Sequence, residues 1–139
     1  MSNKGIGNLF EQELDKLLYE HDFWVHRLTQ NASGQPADII AVKDDQADLI
    51  DCKVCTHDTF DLARVEENQQ LAMTHWNNCG NDNAWFALKT SFGVYMLSWT
   101  AVKDAMKTSR VLNMRRIAAL GETIEEWLER NGGYYGDCY

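Results

Sequence analysis

The sequence predicts a single α/β (α+β) domain in which one central mixed sheet is flanked by helices. Of its 139 residues, 45% are hydrophobic and 24% are charged, a composition typical of a globular chain that buries one core. Segments with helical periodicity alternate with apolar runs of strand length. The chain has one proline, Pro36, and no repeat or low-complexity stretch, so we expect residues 1–139 to form one domain.

The first half of the chain predicts one helix followed by three strands. Apolar residues recur at helical spacing over residues 8–21, and Asn8 is a candidate N-cap for that helix. Aromatic, β-branched or continuous apolar runs then predict strands, at residues 23–29, 38–43 and 48–54. Residues 30–37 form a loop by their Asn, Ser, Gly and Pro content, and the polar stretch 44–47 suits a hairpin connection.

The second half predicts a helix, a hairpin and further helices. Asp61 is a candidate N-cap for a helix over residues 62–77, and Gly80 is its stop signal. Two strands flank a Ser-Phe-Gly turn, at residues 85–89 and 94–99. Two short helices follow, at residues 100–106 and 123–130. A Gly-Gly pair at residues 132–133 is expected to end the second of them, and the pattern over residues 109–120 is ambiguous.

The charge balance argues against a chain that binds nucleic acid over its whole surface. The formal net charge is −8, so any phosphate-binding residues must be concentrated locally. One segment, residues 103–116, holds five basic residues against a single acid, Asp104. A solvated helix face is the alternative explanation for this segment.

The sequence poorly matches the patterns of membrane proteins, secreted proteins and zinc-binding domains. No apolar run approaches the roughly 18 residues of a membrane helix, and the N-terminus lacks a secretory apolar stretch, so we expect a cytoplasmic protein. Four scattered cysteines, Cys52, Cys55, Cys79 and Cys138, do not form a disulfide framework. A zinc-stabilised interaction domain that combines Cys52 and Cys55 with His57 and Cys79 stays an alternative, although Cys52 and Cys55 project to opposite strand faces.

Acidic residues and one lysine are brought together by the predicted strands. Asp51 and Lys53 are two apart on one strand and share a face, whereas Cys52 points to the other side. A short hairpin can bring Asp38 opposite Asp51, and two close carboxylates repel unless a cation such as Mg²⁺ lies between them. Glu11, at the border of the apolar stripe of the first helix, can reach the sheet. With Lys53 to orient or polarise water, this group suits phosphodiester hydrolysis.

Each of these residues also has a purely structural explanation. Asp38 follows a proline-containing loop and suits an Asx turn, and Glu11 suits a capping box with Asn8. An Asp-x-Lys sequence is common on exposed edge strands. The run over residues 38–42 is nearly continuously apolar, however, which indicates central strands on which unpaired charges are costly.

Four stretches between residues 4 and 75 match a known pattern in order and spacing. They are Lys4-Gly5 with Phe10-Glu11-Gln12-Glu13-Leu14, Ala32-Ser33-Gly34 with Pro36-Ala37-Asp38-Ile39-Ile40-Ala41, Ile50-Asp51-Cys52-Lys53, and Phe60-Asp61-Leu62 with Asn68-Gln69. Together they resemble the PD-(D/E)XK nuclease superfamily, and within it the Holliday junction resolvases of archaea and of Gram-positive bacteria. The resemblance implies a restriction-endonuclease-like fold.

The resemblance also implies roles for the matching residues. It implies three metal ligands for Mg²⁺, or for Mn²⁺ as a substitute: Glu11, Asp38 and Asp51. Lys53 would be the catalytic lysine, with Gln69 and Ser33 as accessory residues. Asp51 stands where these resolvases usually have glutamate, and an alanine, Ala37, separates the proline of the motif from its aspartate.

We therefore predict a Mg²⁺-dependent endonuclease that cleaves DNA, preferentially at branched structures such as a Holliday junction. Phosphate contacts are expected from basic residues: Lys43, Arg64, Lys89, Arg115 and Arg116. A junction offers two strands for symmetric cleavage, so we expect a homodimer, with Tyr134, Tyr135, Tyr139 and the C-terminal helix facing a partner. The alternative is a non-catalytic module of the nuclease fold that binds DNA or a protein partner, which Asp51 and the net charge of −8 favour.

Overall fold

Strands and helices alternate along the chain in the computed structural model, which describes residues 3–29, 34–80 and 82–136. The first half contains α1 (Asn3–Glu20), β1 (Trp24–Arg27), β2 (Ile39–Lys43), β3 (Gln46–Val54) and β4 (Phe60–Asp61). The second half contains α2 (Glu67–Asn78), β5 (Ala84–Thr90), β6 (Gly93–Ser98), α3 (Trp99–Ala105), β7 (Val111–Leu112), α4 (Met114–Leu120), β8 (Glu122–Thr123) and α5 (Ile124–Gly136).

Six of these strands form one mixed sheet in the order β1-β2-β3-β5-β6-β8, and β4 pairs with β7 in a small second sheet. The β3 and β5 strands run parallel, because α2 crosses over between them, and the other neighbours in the sheet are antiparallel. The β2–β3 hairpin turns at Asp44 and Asp45, whose φ angles of 50° and 68° suit aspartate. The predicted mixed sheet is therefore present.

Apolar side chains cover both faces of the sheet, because alternate strand residues point to opposite sides. On one face, Ile50 and Ala87 pack against Phe10 of α1 and Trp127 of α5. The other face is covered by apolar residues of α2, α3 and α4, which include Met73, Trp99, Val102 and Ile117. None of the helices in the described ranges is long and apolar enough to cross a membrane.

The helix predicted over residues 62–77 begins later than expected. Asp61 caps a short 3₁₀ helix, Leu62–Arg64, by accepting a hydrogen bond of 2.9 Å from the Ala63 amide. Long-range bonds hold this segment apart from α2, since β4 pairs with β7 and the Leu62 amide donates to Arg110 O. The α2 helix starts after Glu66, where Glu66 and Gln69 form a capping box.

Other boundaries also differ from the prediction. The α1 helix begins at Asn3, so Asn8 lies inside this helix and is not its N-cap. The ambiguous residues 109–120 contain β7 and α4, and the Asn113 side chain caps α4 by accepting from the Arg116 amide at 2.9 Å. The α5 helix continues through the Gly-Gly pair at residues 132–133 to Gly136. Glycine lowers helix propensity by about 1 kcal/mol relative to alanine, which does not by itself end a helix.

Candidate functional site

The β2–β3 hairpin places Asp38 beside Asp51. The Asp38 amide donates to Ile50 O at 3.0 Å, which continues the antiparallel register in which Ile39 faces Ile50. The Cys52 amide donates to Asp38 Oδ2 at 2.7 Å. Asp38 is 7% exposed and Asp51 is 1% exposed, so two carboxylates lie next to each other in a buried position.

Lys53 and Gln69 complete this group on the same face of the sheet. Lys53 Nζ lies 3.1 Å from Asp51 Oδ2, which agrees with the shared face that the strand period predicts. From the first turn of α2, Gln69 donates its Nε2 to Asp51 Oδ1 at 3.0 Å and accepts from Lys53 Nζ at 3.3 Å. Gln69 Oε1 also accepts from the Glu66 amide at 3.2 Å, so the helix cap itself orients this side chain.

Gln35 is a part of the site that the sequence analysis did not identify. Its Nε2 donates to Asp38 Oδ1 at 2.9 Å, and its carbonyl accepts from Asn68 Nδ2 at 3.3 Å. No local pattern indicates this role, because a glutamine in a polar loop is ordinarily solvated.

These side chains line one polar cleft of about 320 Å³, which Glu11 of α1 also borders. The lining includes Lys4, Asn8, Glu11, Gln35, Asp38, Asp51, Cys52, Lys53, Arg64, Glu66 and Gln69. Burial, reinforced by the Asp38 charge and opposed by Arg27, raises the pKa of Glu11 to about 7. The structure therefore brings Glu11, Asp38, Asp51, Lys53 and Gln69 to one site.

Electrostatic effects in the cleft follow from burial of like charges. Burial raises the pKa of Asp51 well above its usual value, the Asp38 charge adds to the shift, and Lys53 opposes it. Burial also raises the pKa of the Cys52 thiol, and the charges of Asp38, Asp51 and Glu11 act in the same direction. Cys52 therefore stays protonated and is a poor nucleophile.

The donor set fits a hard divalent cation. Within the described part of the chain, Asp51 Oδ2 is buried and has no hydrogen-bond partner, and its contact with Lys53 is an ion pair only. No three His, Cys, Asp or Glu side chains of the described residues are already arranged around a common metal position. Mg²⁺ commonly binds through one or two carboxylates together with waters and substrate phosphates, which matches the Asp38–Asp51 pair.

The zinc alternative has no support in this arrangement. Cys55 is buried and packs in the core on the α2 side of the sheet, whereas Cys52 packs on the α1 side. Cys79, at the end of α2, has its sulfur 3.9 Å from His75 Nε2 rather than near the Cys-x-x-C pair. Among the described residues, these cysteines and His57 do not form a metal-binding group.

Of the basic residues expected to contact DNA, Arg64 alone lines the cleft, with Nη1 donating to Val54 O at 2.9 Å. Lys43 lies at the opposite end of β2, about 16 Å along the strand from Asp38, in a pocket with four acids. Lys89 is paired with Glu13 at 2.8 Å. Arg115 and Arg116, also expected to contact DNA, are exposed on α4, and Ser33 lies outside the described residues. Of the tyrosines expected to face a partner, Tyr139 lies outside the described residues, and the side chains of Tyr134 and Tyr135 are not described.

Two basic residues near the site were missed by the sequence analysis. Lys4 lines the cleft itself. Arg27, at the end of β1, lines an adjoining polar cleft of about 300 Å³ together with Glu11 and Gln35. Their position depends on how α1 and β1 pack beside β2, which local sequence patterns do not specify.

Comparisons with known proteins gave matches to a family model and to solved structures. The model of the archaeal Holliday junction resolvase (Hjc) family matches residues 2–131. Among solved structures, the chain is similar to Hjc from Archaeoglobus fulgidus, a Holliday junction resolvase from an archaeal hyperthermophile. The TM-score is 0.64 at 20% identity, covering 88% of this chain and 94% of that chain, which shows a shared fold. Comparison with the curated proteins gave no match.

The family match spans nearly the whole chain, and it supports the predicted structure-specific endodeoxyribonuclease. Nucleases of this family generally use divalent metal ions. The chain therefore belongs to the archaeal Holliday junction resolvase family, within the PD-(D/E)XK nuclease superfamily.

Proposed function

We propose that this protein cleaves four-way DNA junctions as a Mg²⁺-dependent homodimer. The proposal depends on one observation above all: two buried carboxylates, Asp38 and Asp51, lie side by side with Lys53 Nζ 3.1 Å from Asp51. Structural ion pairs do not need two adjacent buried acids for one lysine, because the second acid only adds repulsion. A site for a cation and a phosphodiester accounts for all three groups.

Asp38 and Asp51 would hold Mg²⁺, with Glu11 across the cleft as the third acid. Their oxygens are hard ligands of the kind that Mg²⁺ and Mn²⁺ prefer, and Asp51 Oδ2 accepts no hydrogen bond from the described residues. When bound, Mg²⁺ supplies positive charge to the phosphate oxygens and lowers the pKa of the attacking water. Deprotonated Glu11 would add a further oxygen ligand or hold a water molecule.

Lys53 would act as the catalytic lysine. An ammonium group has three N–H donors; in the described structure Gln69 accepts one of them, and Asp51 is the ion-pair partner of the group. A donor that Gln69 does not use can hold the attacking water or a phosphate oxygen that gains negative charge in the transition state. Gln69 keeps the ammonium group in position and also holds Asp51 Oδ1.

The DNA backbone would be bound by the basic residues that line the two neighbouring clefts. Arg64 and Lys4 border the cleft of the acids, and Arg27 borders the adjoining one. Glu11 and Gln35 line both clefts, so a strand whose phosphate lies at the acids would place a neighbouring phosphate near Arg27. Arg115 and Arg116 on α4 would contact duplex arms farther from the cut. Lys43 is not included, because acids surround it.

A homodimer follows from the symmetry of the substrate. Resolution of a four-way junction requires two cuts in strands of the same polarity, and a two-fold dimer presents two identical clefts to them. The side chains of one chain supply the Asp38, Asp51, Lys53 and Gln69 group described above, so each protomer would make one cut.

A panel of DNA substrates tests the proposal. Purified protein is incubated with a four-way junction, a fork and a linear duplex of matched sequence over a series of Mg²⁺ concentrations. We expect paired symmetric nicks in the junction, no cleavage after chelation, and loss of cleavage in Asp38→Asn. Asp45→Asn is the matched control, because it removes the same charge at an exposed hairpin turn.

Equal cleavage of junction and duplex, or cleavage without divalent cations, would contradict the proposal. The oligomeric state is read by sedimentation with and without junction DNA. A monomer that makes both cuts would contradict the dimer.

A further inference from the structure

Both oxygens of the Asp38 carboxylate are held by hydrogen-bond donors. Gln35 Nε2 donates to Oδ1 at 2.9 Å, and the Cys52 amide donates to Oδ2 at 2.7 Å. The Cys52 donor belongs to the backbone of β3, which fixes it independently of side-chain identity. The Gln35 donor is the side-chain amide of a residue that is 9% exposed. This bond therefore depends on the presence of glutamine at position 35.

The backbone of the loop at Gln35 lies against the first turn of α2. Asn68 Nδ2 donates to Gln35 O at 3.3 Å. Gly34, with φ of +79°, permits this approach, since a Cβ at that position would lie 3.2 Å from Asn68 Nδ2. The next helix residue, Gln69, donates to Asp51. One helical turn therefore supports both carboxylates, Asp51 directly and Asp38 through the Gln35 loop.

We propose that Gln35 is a positioning residue that orients Asp38 for cation binding, an inference that rests on the proposed function. Its amide N–H fixes the carboxylate plane and offsets negative charge between Asp38 and Asp51. Each carboxylate oxygen keeps a second lone pair, so the two donors leave Asp38 able to bind a cation. Residues that hold metal ligands in this way change metal affinity by about 10- to 100-fold when they are removed.

The test replaces Gln35 with a side chain of similar shape that has no donor. Gln35→Met is compared with Gln46→Met, in which a glutamine amide bonded to the Asp48 carboxylate at 3.1 and 3.2 Å is removed away from the cleft. Mn²⁺ binding to the DNA-free protein is measured by calorimetry. We expect about 10- to 100-fold weaker binding for Gln35→Met and wild-type binding for Gln46→Met.

Junction cleavage provides a second readout. The Mg²⁺ concentration for half-maximal cleavage should rise in Gln35→Met by about the factor seen for Mn²⁺, and saturating Mg²⁺ should restore the rate. A purely structural role would instead lower the rate at every Mg²⁺ concentration, and that result overturns the inference.

Asp38→Ala distinguishes the positioning role of Gln35 from the proposed metal site. If Asp38→Ala abolishes Mn²⁺ binding and Gln35→Met leaves it unchanged, the positioning role is wrong and the proposed metal site stands. If Asp38→Ala binds Mn²⁺ like the wild type, the proposed metal site itself is wrong. Should Gln35→Met not fold, Asn68→Ala removes only the loop anchor; weaker Mn²⁺ binding supports the inference and unchanged binding overturns it.

Discussion

Replacement of Asp48 by asparagine should stabilise the protein at neutral pH without changing its activity. Asp48 lies on β3, is fully buried, and accepts hydrogen bonds from Trp85 Nε1 at 2.9 Å and from Gln46 Nε2. Burial raises its pKa from 3.8 to about 6, and the bonds from Trp85 and Gln46 and the Arg130 charge only partly oppose this. Asp48 is on the β3 strand but does not line the cleft of Asp38 and Asp51.

The magnitude follows from the difference between the folded and unfolded pKa values. The folded chain binds this proton more tightly, so the free energy of unfolding falls as pH rises from about 4 to about 6, by about 3 kcal/mol in total. Asparagine removes the charge and keeps an oxygen that accepts from Trp85. Its NH₂ group faces Gln46 Nε2, however, so the hydrogen bond from Gln46 is lost, which lowers the stability by about 1 kcal/mol. We expect the free energy of unfolding of Asp48→Asn to exceed that of the wild type by about 2 kcal/mol at pH 7 and to be about 1 kcal/mol lower than that of the wild type near pH 4.

Urea unfolding of the wild type and of Asp48→Asn at pH 4.5 and pH 7.5 measures this change. Asp45→Asn is the control, because it changes the net charge equally at an exposed turn and should shift stability by less than about 0.5 kcal/mol. Junction cleavage should match the wild type in both variants. A stability difference between wild type and Asp48→Asn that does not depend on pH would show that the buried charge of Asp48 is not its cause.

Three further predictions concern the cleft. Lys53→Met should lower the cleavage rate by about 10²- to 10³-fold with junction affinity unchanged, as single-turnover rates and binding assays would show. Arg64→Ala should weaken junction binding and reduce the slope of its salt dependence by the contribution of about one phosphate contact. Lys43→Ala should change neither the affinity nor the slope. A carboxylate binds a cation only when deprotonated, so the proposed role of Glu11 predicts that Mn²⁺ affinity rises with pH through about 7 and that Glu11→Gln flattens that part of the titration curve.

The sequence could predict the parts of the site that follow from local geometry. Asp51 and Lys53 share a face because strand side chains alternate, and the short hairpin brings Asp38 beside them. Lys43 belongs to the same predicted strand as Asp38, but it lies at the other end of that strand, away from the cleft. Composition could not indicate this difference in position. The prediction from charge alone therefore placed more basic residues near Asp38 and Asp51 than the structure does.

Features that depend on distant parts of the chain could not be predicted. The 3₁₀ turn before α2 exists because β4 pairs with β7, about fifty residues later in the chain. Gln35 joins the site because Asn68, on another element, fixes its loop. In both cases a tertiary contact decides the local conformation, and no pattern of neighbouring residues specifies it.

In the proposed mechanism, the buried Asp38–Asp51 pair with Lys53 is the hydrolytic centre. Single-turnover cleavage of a four-way junction by Asp51→Asn in saturating Mg²⁺, with junction binding measured on the same samples, tests it most directly. Asparagine keeps the acceptor for Gln69 and removes the charge that a cation needs. We expect a rate at least about 10³-fold lower, with wild-type junction affinity. Cleavage by Asp51→Asn at the wild-type rate would contradict it.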